Sequence, residues 1–149
     1  MPWIHDVSTD PADPPPFVAL RAARLKCANG ADYSGLSAGE HARNYPDLVT
    51  AEFSQNVAAV FQAALAVAQT HQWKIAAAVE AEGRIEATAT TRVFRFKDDV
   101  VVRIRAHAGG GSRLDIRSKS RVGESDLGAN ARRIRVFLEA LKYQIKSNS

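Results

Sequence analysis

Arg84-Ile85-Glu86-Ala87-Thr88-Ala89-Thr90-Thr91-Arg92-Val93-Phe94 alternates with a period of two. Ile85, Ala87, Ala89, Thr91 and Val93 fall on one side, and Glu86, Thr88, Thr90 and Arg92 on the other. Successive side chains of an extended chain point to opposite faces, so the spacing predicts a β-strand with one apolar face. Upstream, Trp73 to Ala81 reads as a strand, with Glu82-Gly83 as the tight turn between the two. Downstream, Lys97-Asp98-Asp99 is read as a turn into a strand in which Val100, Val102 and Ile104 are set against Arg103, Arg105 and His107. Gly109-Gly110-Gly111 reads as a hairpin tip, because no helix follows it as a phosphate loop requires. A last strand sets Leu114 and Ile116 against Arg113, Asp115 and Arg117. Strands joined by such short turns form an antiparallel meander.

Two helices flank the meander. From a cap at Ser54 to about His71, the positions Val57, Val60, Phe61, Ala64, Leu65 and Ala68 recur at helical spacing. From about Asp126 to Lys146, with Ser125 or Asp126 as cap, Leu127, Ala131, Ile134, Leu138, Leu141 and Ile145 form a second apolar stripe. Asp47 to Phe53 contains a further short strand. Each helix must bury its stripe, so the expected fold is α+β: a two-layer sandwich with an antiparallel sheet of four to five strands and two helices on one face, in the order (β)-α-β-β-β-β-α. The opposite sheet face is then left to Arg92, Arg103, Arg105, His107, Arg113, Asp115 and Arg117. Residues 1–44 are read as an extended Pro-rich arm and loop, with one short helix within Val18 to Cys27, and residues 45–149 as a single compact domain. Trp73 is assigned to the core, and His41 and His71 to the surface or to helix ends.

The 149 residues contain no run of about 18 apolar residues, the length a membrane-spanning helix needs. Met1 to Asp6 lacks the basic and apolar blocks of a secretory signal, which implies a cytoplasmic chain if Met1 is the natural start. Cys27 is the single cysteine, so neither an internal disulfide nor a cysteine zinc cluster is available. Charge is unevenly spread: residues 1–83 carry 5 Lys+Arg against 9 Asp+Glu, and residues 84–135 carry 13 against 6. The basic half suggests an anionic partner, or packing of the acidic half across it.

Three segments carry a family resemblance. They are Ile4 to Pro11 with Pro14-Pro15-Pro16-Phe17 close behind, Tyr45-Pro46-Asp47, and Phe96 to Ile104 followed by Asp115 to Ile134. On these the chain resembles the family called domain of unknown function 1499. The resemblance transfers no catalytic residue. It implies a periplasmic or membrane-associated domain of a bacterial envelope protein, since similar proteins place membrane segments or a lipoprotein signal upstream.

The candidate site lies between Asp115 and Arg133, where a strand end, a glycine-bearing turn and a helix start meet. Arg117, Ser118, Ser120, Arg121, Asn130 and Arg133 are the expected ligand-binding residues, suited to an anion beside free helix N–H groups. Against this stands a structural polar network of Asp115 and Asp126, with ion pairs such as Asp115–Arg121 or Asp126–Arg133 locking the last helix to the sheet. The preferred function is non-enzymatic binding of an anionic small molecule or a protein partner, with no cofactor. The first alternative is a hydrolase-like enzyme using Ser118 or Ser120, in a conceivable Ser120–His107–Asp115 arrangement. The second is a nucleic-acid-binding domain using the basic sheet face, disfavoured by the lack of stacking aromatics. No metal site is assigned: His5, Asp6, Asp10 and Asp13 lie on a Pro-rich arm that does not preorganise ligands.

Overall fold

The computed structural model describes residues 3–149. In chain order the elements are β1 (Asp6–Ser8), α1 (Arg21–Arg24), α2 (Ala38–Asn44), β2 (Ala51–Phe53), α3 (Val57–Thr70), β3 (Lys74–Val79), β4 (Arg84–Thr90), β5 (Lys97–Ala106), β6 (Ser112–Ser120) and α4 (Ala129–Ser147). The sheet runs β1-β6-β5-β4-β3, all antiparallel, and β2 shares the outer side of β6 with β1. The fold is α+β with the expected meander, and its sheet has six strands.

The alternation of β4, β5 and β6 gives the sheet its core face. Ile85, Ala87, Val100, Val102, Ile104, Leu114 and Ile116 meet Val60, Phe61, Ala64 and Val67 of α3 and Ile134, Phe137, Leu138 and Leu141 of α4 in one buried cluster. Trp73, as expected, is buried there and stacks on Phe137 with ring centroids 5.5 Å apart. Gly83 makes the β3–β4 turn at φ +62°, where a Cβ would lie 2.1 Å from the Ile104 carbonyl oxygen. Only glycine fits that turn.

Several local expectations need correction. The cap of α3 is Asn56, whose Oδ1 accepts the Ala59 N–H at 2.9 Å, while Ser54 belongs to the connection from β2. Helix α4 starts at Ala129 because Asp126 holds the N–H groups of Gly128 and Asn130, and Gly128 takes a left-handed conformation. Strand β4 stops at Thr90, not at Phe94. The chain turns at 91–96, where the Thr91 N–H bonds the Phe96 carbonyl and the Phe96 N–H bonds Thr91 Oγ1. That earlier turn puts Lys97, Asp98 and Asp99 inside β5 instead of ahead of it. His41 is buried, with Nε2 2.7 Å from the Leu48 carbonyl.

The largest difference concerns the second sheet face. Residues 4–44 contribute an edge strand and two short helices, and Ile4 and Val7 enter the main core. Phe17 and Leu20 pack on Val101 across the face expected to be open. The Glu86 carboxylate accepts the N–H groups of Val18, Ala19 and Leu20, which ties the start of α1 to the middle of β4. The helices therefore cover one face of the sheet and the arm packs on the middle of the other, where Ala76 of β3 and Arg105 and Arg113 at the far end stay exposed.

Candidate functional site

Period-two alternation in β6 divides the residues expected to form one site. Ser118 and Ser120 face α4, whereas Asp115, Arg117 and Lys119 face the arm. On the α4 side, Ser118 Oγ donates to Asn130 Oδ1 at 2.6 Å, and Arg133 Nη1 donates to both at 3.2 and 3.0 Å. The Asn130 amide donates to Ser120 Oγ at 2.9 Å and to Asp126 at 2.7 Å. This network pins the first turn of α4 to the end of β6 and gives neither serine a general base to accept its proton. The expected Asp126–Arg133 pair is absent, since Arg133 pairs with Asp98 at 2.8 Å. The Ser120–His107–Asp115 arrangement is also ruled out by register. Ser120 lies opposite Asp98 and Ser112 opposite Ala106, so His107 lies past the far end of the ladder, roughly 30 Å away at ~3.3 Å per residue.

On the arm side the charges are buried and paired. Arg117 donates to both Asp6 carboxylate oxygens at 3.0 and 3.1 Å and to the carbonyls of Pro15 and Ala31. Arg24 reaches Asp99 at 2.9 Å and the carbonyls of Gly30, Lys119 and Ser120. Arg121 makes a two-pronged contact with the same Asp99 at 2.9 and 3.0 Å, in place of the expected pair with Asp115. Asp115 instead accepts from Thr9, Thr50 and Arg103. Arg24 and Arg117 also lie over the Phe17 ring at 5.0 and 4.6 Å. These groups satisfy one another, so Arg117 and Arg121 hold the arm and the sheet together. His5, Asp6, Asp10 and Asp13 do not converge: His5 bonds Ser34, Asp6 binds Arg117, and Asp10 and Asp13 face Arg103.

One member of the buried cluster titrates within reach of experiment. Burial pulls the Lys119 ammonium down to about 8, with Asp6 opposing and Arg24 and Arg117 reinforcing the shift. Its Nζ donates to the Asp32 carbonyl at 2.6 Å. Between pH 8 and the ordinary lysine range, the unfolded chain holds a proton that the folded chain has released, so stability rises with pH across that window. Burial also raises the Tyr33 hydroxyl above its ordinary value, which opposes the gain at higher pH still. The melting temperature is expected to climb from pH 8 to pH 10, and Lys119→Met is expected to flatten the rise. An unchanged slope in that variant assigns the effect to another group.

Open surface lies at the end of the sheet where the 91–96 turn meets the start of α4. A cavity of about 390 Å³ is walled there by Val93, Phe94, Phe96, Val122 and Leu127, with Asp98 and Ser120 also in its lining. Beside it is a second cavity of about 810 Å³, bounded by His71, Trp73, Arg92, Arg132, Arg133 and Val136. The two share Thr91, Arg92, Ala129 and Arg132. The second cavity has no carboxylate in its lining. Among the described residues Arg92 makes no hydrogen bond or ion pair, and Arg132 bonds only the Leu127 carbonyl, at 3.1 Å. Asp98 Oδ2 is buried without an aligned donor: Arg133 Nη1 is 2.8 Å away, but its hydrogens are directed to Ser118 and Asn130.

Backbone strain collects at the same place. Gln72, Arg95 and Leu127 are the non-glycine residues with positive φ among those described, at 61°, 54° and 53°. Each sits in or next to a segment bordering these cavities. Leucine in that conformation is rare, and Leu127 is also 83% exposed, so neither local preference nor burial explains its place. Of the expected ligand residues, Arg133 borders the second cavity and Ser120 the first, while Arg117 and Arg121 border neither. Arg92, Arg132 and Leu127 were missed. The available signal was Val93 and Phe94 beside two arginines, apolar residues that a strand reading absorbs and a turn exposes.

No curated protein matches the chain significantly. A family match does extend across the whole sheet and most of α4, from β1 through the arm-side ion pairs to the network at Asn130. It is to the family described as "Protein of unknown function (DUF1499)", over residues 6–141, and the chain belongs to that family.

Proposed function

We propose that this domain is a non-enzymatic binding module at a bacterial envelope, and that it takes an anionic group in the cavity bordered by Arg92, Arg132 and Arg133. The observation that carries the reading is a concave surface with three arginines and no lining carboxylate, one of the arginines having no partner among the described residues. A guanidinium group left unpaired in this way suits a phosphate or carboxylate, which accepts two parallel N–H bonds from it. The nearby Ser118 and Ser120 hydroxyls are engaged with Asn130, which supports binding over nucleophilic chemistry. Arg103 is half-buried and Arg117 buried against arm carboxylates, which leaves less of a basic sheet face for nucleic acid than the sequence suggests.

The test is an amide NMR titration of the full chain with inorganic phosphate and methyl phosphate. Saturable shifts are expected at residues 91–97 and 127–133. Arg92→Gln and Arg132→Gln should each weaken binding about tenfold, the loss of one charge-assisted contact, with a nearly unchanged melting temperature. Arg121→Ala should do the reverse, lowering the melting temperature and leaving affinity alone. Shifts absent from both segments would falsify the anion site.

A further inference from the structure

We infer that the anionic ligand is an amphiphile with a single apolar chain, whose head is held by Arg92, Arg132 and Arg133 and whose chain lies in the adjoining apolar cavity. This rests on the anion-binding reading above and adds the nature of the rest of the molecule. The cavities adjoin, sharing Thr91, Arg92, Ala129 and Arg132, so one ligand lying across these four residues reaches both.

The walls of the first cavity explain the chain. Val93 is 81% exposed and Phe94 73%, and Phe96, Val122 and Leu127 complete the ring. Single exposed apolar side chains are ordinary, but five around one opening form a patch of the kind that marks a binding surface. Phe94 and Phe96 stack with centroids 5.5 Å apart, giving the wall a continuous aromatic side. The cavity, at about 390 Å³, falls in the range of small-molecule sites.

The charges within it do not oppose an apolar chain. Asp126 is occupied by the N–H groups of Gly128 and Asn130 and by the Asn130 amide, and Asp98 lies against Arg133. Among the described residues lining it, the cations without a carboxylate partner, Arg92 and Arg132, lie on the side shared with the second cavity. The site is thus apolar at one end and cationic at the other, complementary to a chain ending in a phosphate or carboxylate.

The experiment compares methyl, butyl and octyl phosphate, all kept monomeric, with uncharged octyl glucoside, each titrated into the full chain. Octyl phosphate is expected to bind on the order of 100-fold more tightly than methyl phosphate, the gain for burying three to four of its additional methylenes at roughly fourfold each. The exposed double substitution Val93→Ser, Phe94→Ser should return octyl phosphate to the methyl phosphate level without altering methyl phosphate binding. Equal affinity for the three phosphates, with shifts still at Arg92 and Arg132, overturns the chain assignment and leaves the anion site standing. Octyl glucoside binding as tightly as octyl phosphate overturns the anionic head and the anion site with it.

Discussion

Asp99→Ala is expected to cost about 3–5 kcal/mol of stability, the range for removing one partner of a buried ion pair. Asp99 is 0% exposed and serves three donors: Arg24 at 2.9 Å, Arg121 at 2.9 and 3.0 Å, and Thr88 at 2.7 Å. Arg24 is equally buried, and burial already pulls its guanidinium below its ordinary value, with Asp99 the main opposing influence. Without the carboxylate, an uncompensated cation remains between the sheet and α1. Chemical denaturation checks the size of the effect. A loss below about 1 kcal/mol would mean that water reaches Arg24. The double change Asp99→Leu, Arg24→Met should cost less than Asp99→Ala alone, because it removes the charge instead of stranding it.

Asp6→Ala is the second large effect, again about 3–5 kcal/mol, and it acts at the edge of the sheet. Asp6 pairs with Arg117 through both oxygens, lies 3.8 Å from Lys119 and accepts the Ser34 N–H at 2.9 Å. Removing it strands two cations on β6 and frees the loop that covers them. A fall in melting temperature of roughly 10 °C follows for a domain of this size. Amide exchange separates local from global loss: β1 and residues 29–36 should lose protection first, with α3 and the β4–β5 ladder retained. Uniform loss of protection would place Asp6 in the global folding unit instead of at a separable edge.

The two variants also separate scaffold from site. Neither Asp99 nor Asp6 borders the arginine cavity, so anion binding should persist in whatever fraction stays folded.

How far the sequence could be read depends on the range of the forces involved. The meander was readable because alternation is local: each of Ile85, Val102 and Ile116 needs only its own strand neighbours to mark its face. The same local rule, followed through β6, separates Arg117 from Ser118, although grouping by proximity along the chain had joined them. The turn at 91–96 was missed because Thr91 and Val93 continue the alternation of β4. What ends the strand is a pair of hydrogen bonds between Thr91 and Phe96, and polarity alone does not predict them. Lys97, Asp98 and Asp99 were read as a turn into the next strand. Asp98 and Asp99 are buried here because Arg24, Arg121 and Arg133 come from 75, 22 and 35 positions away to neutralise them.

By itself, then, the sequence determined the α+β class, the order of the meander, the apolar stripes of α3 and α4 and the glycine turns, all set by the period and propensity of neighbouring residues. Only the tertiary structure decided that the arm packs on the second sheet face, that Arg117 and Arg121 pair with Asp6 and Asp99, and that Arg132 and Arg92, the latter without a partner among the described residues, stand beside an apolar cavity. The reason is physical. An arginine reads the same in a sequence whether or not a carboxylate meets it, and which arginines are met depends on contacts between residues as far apart as Asp6 and Arg117.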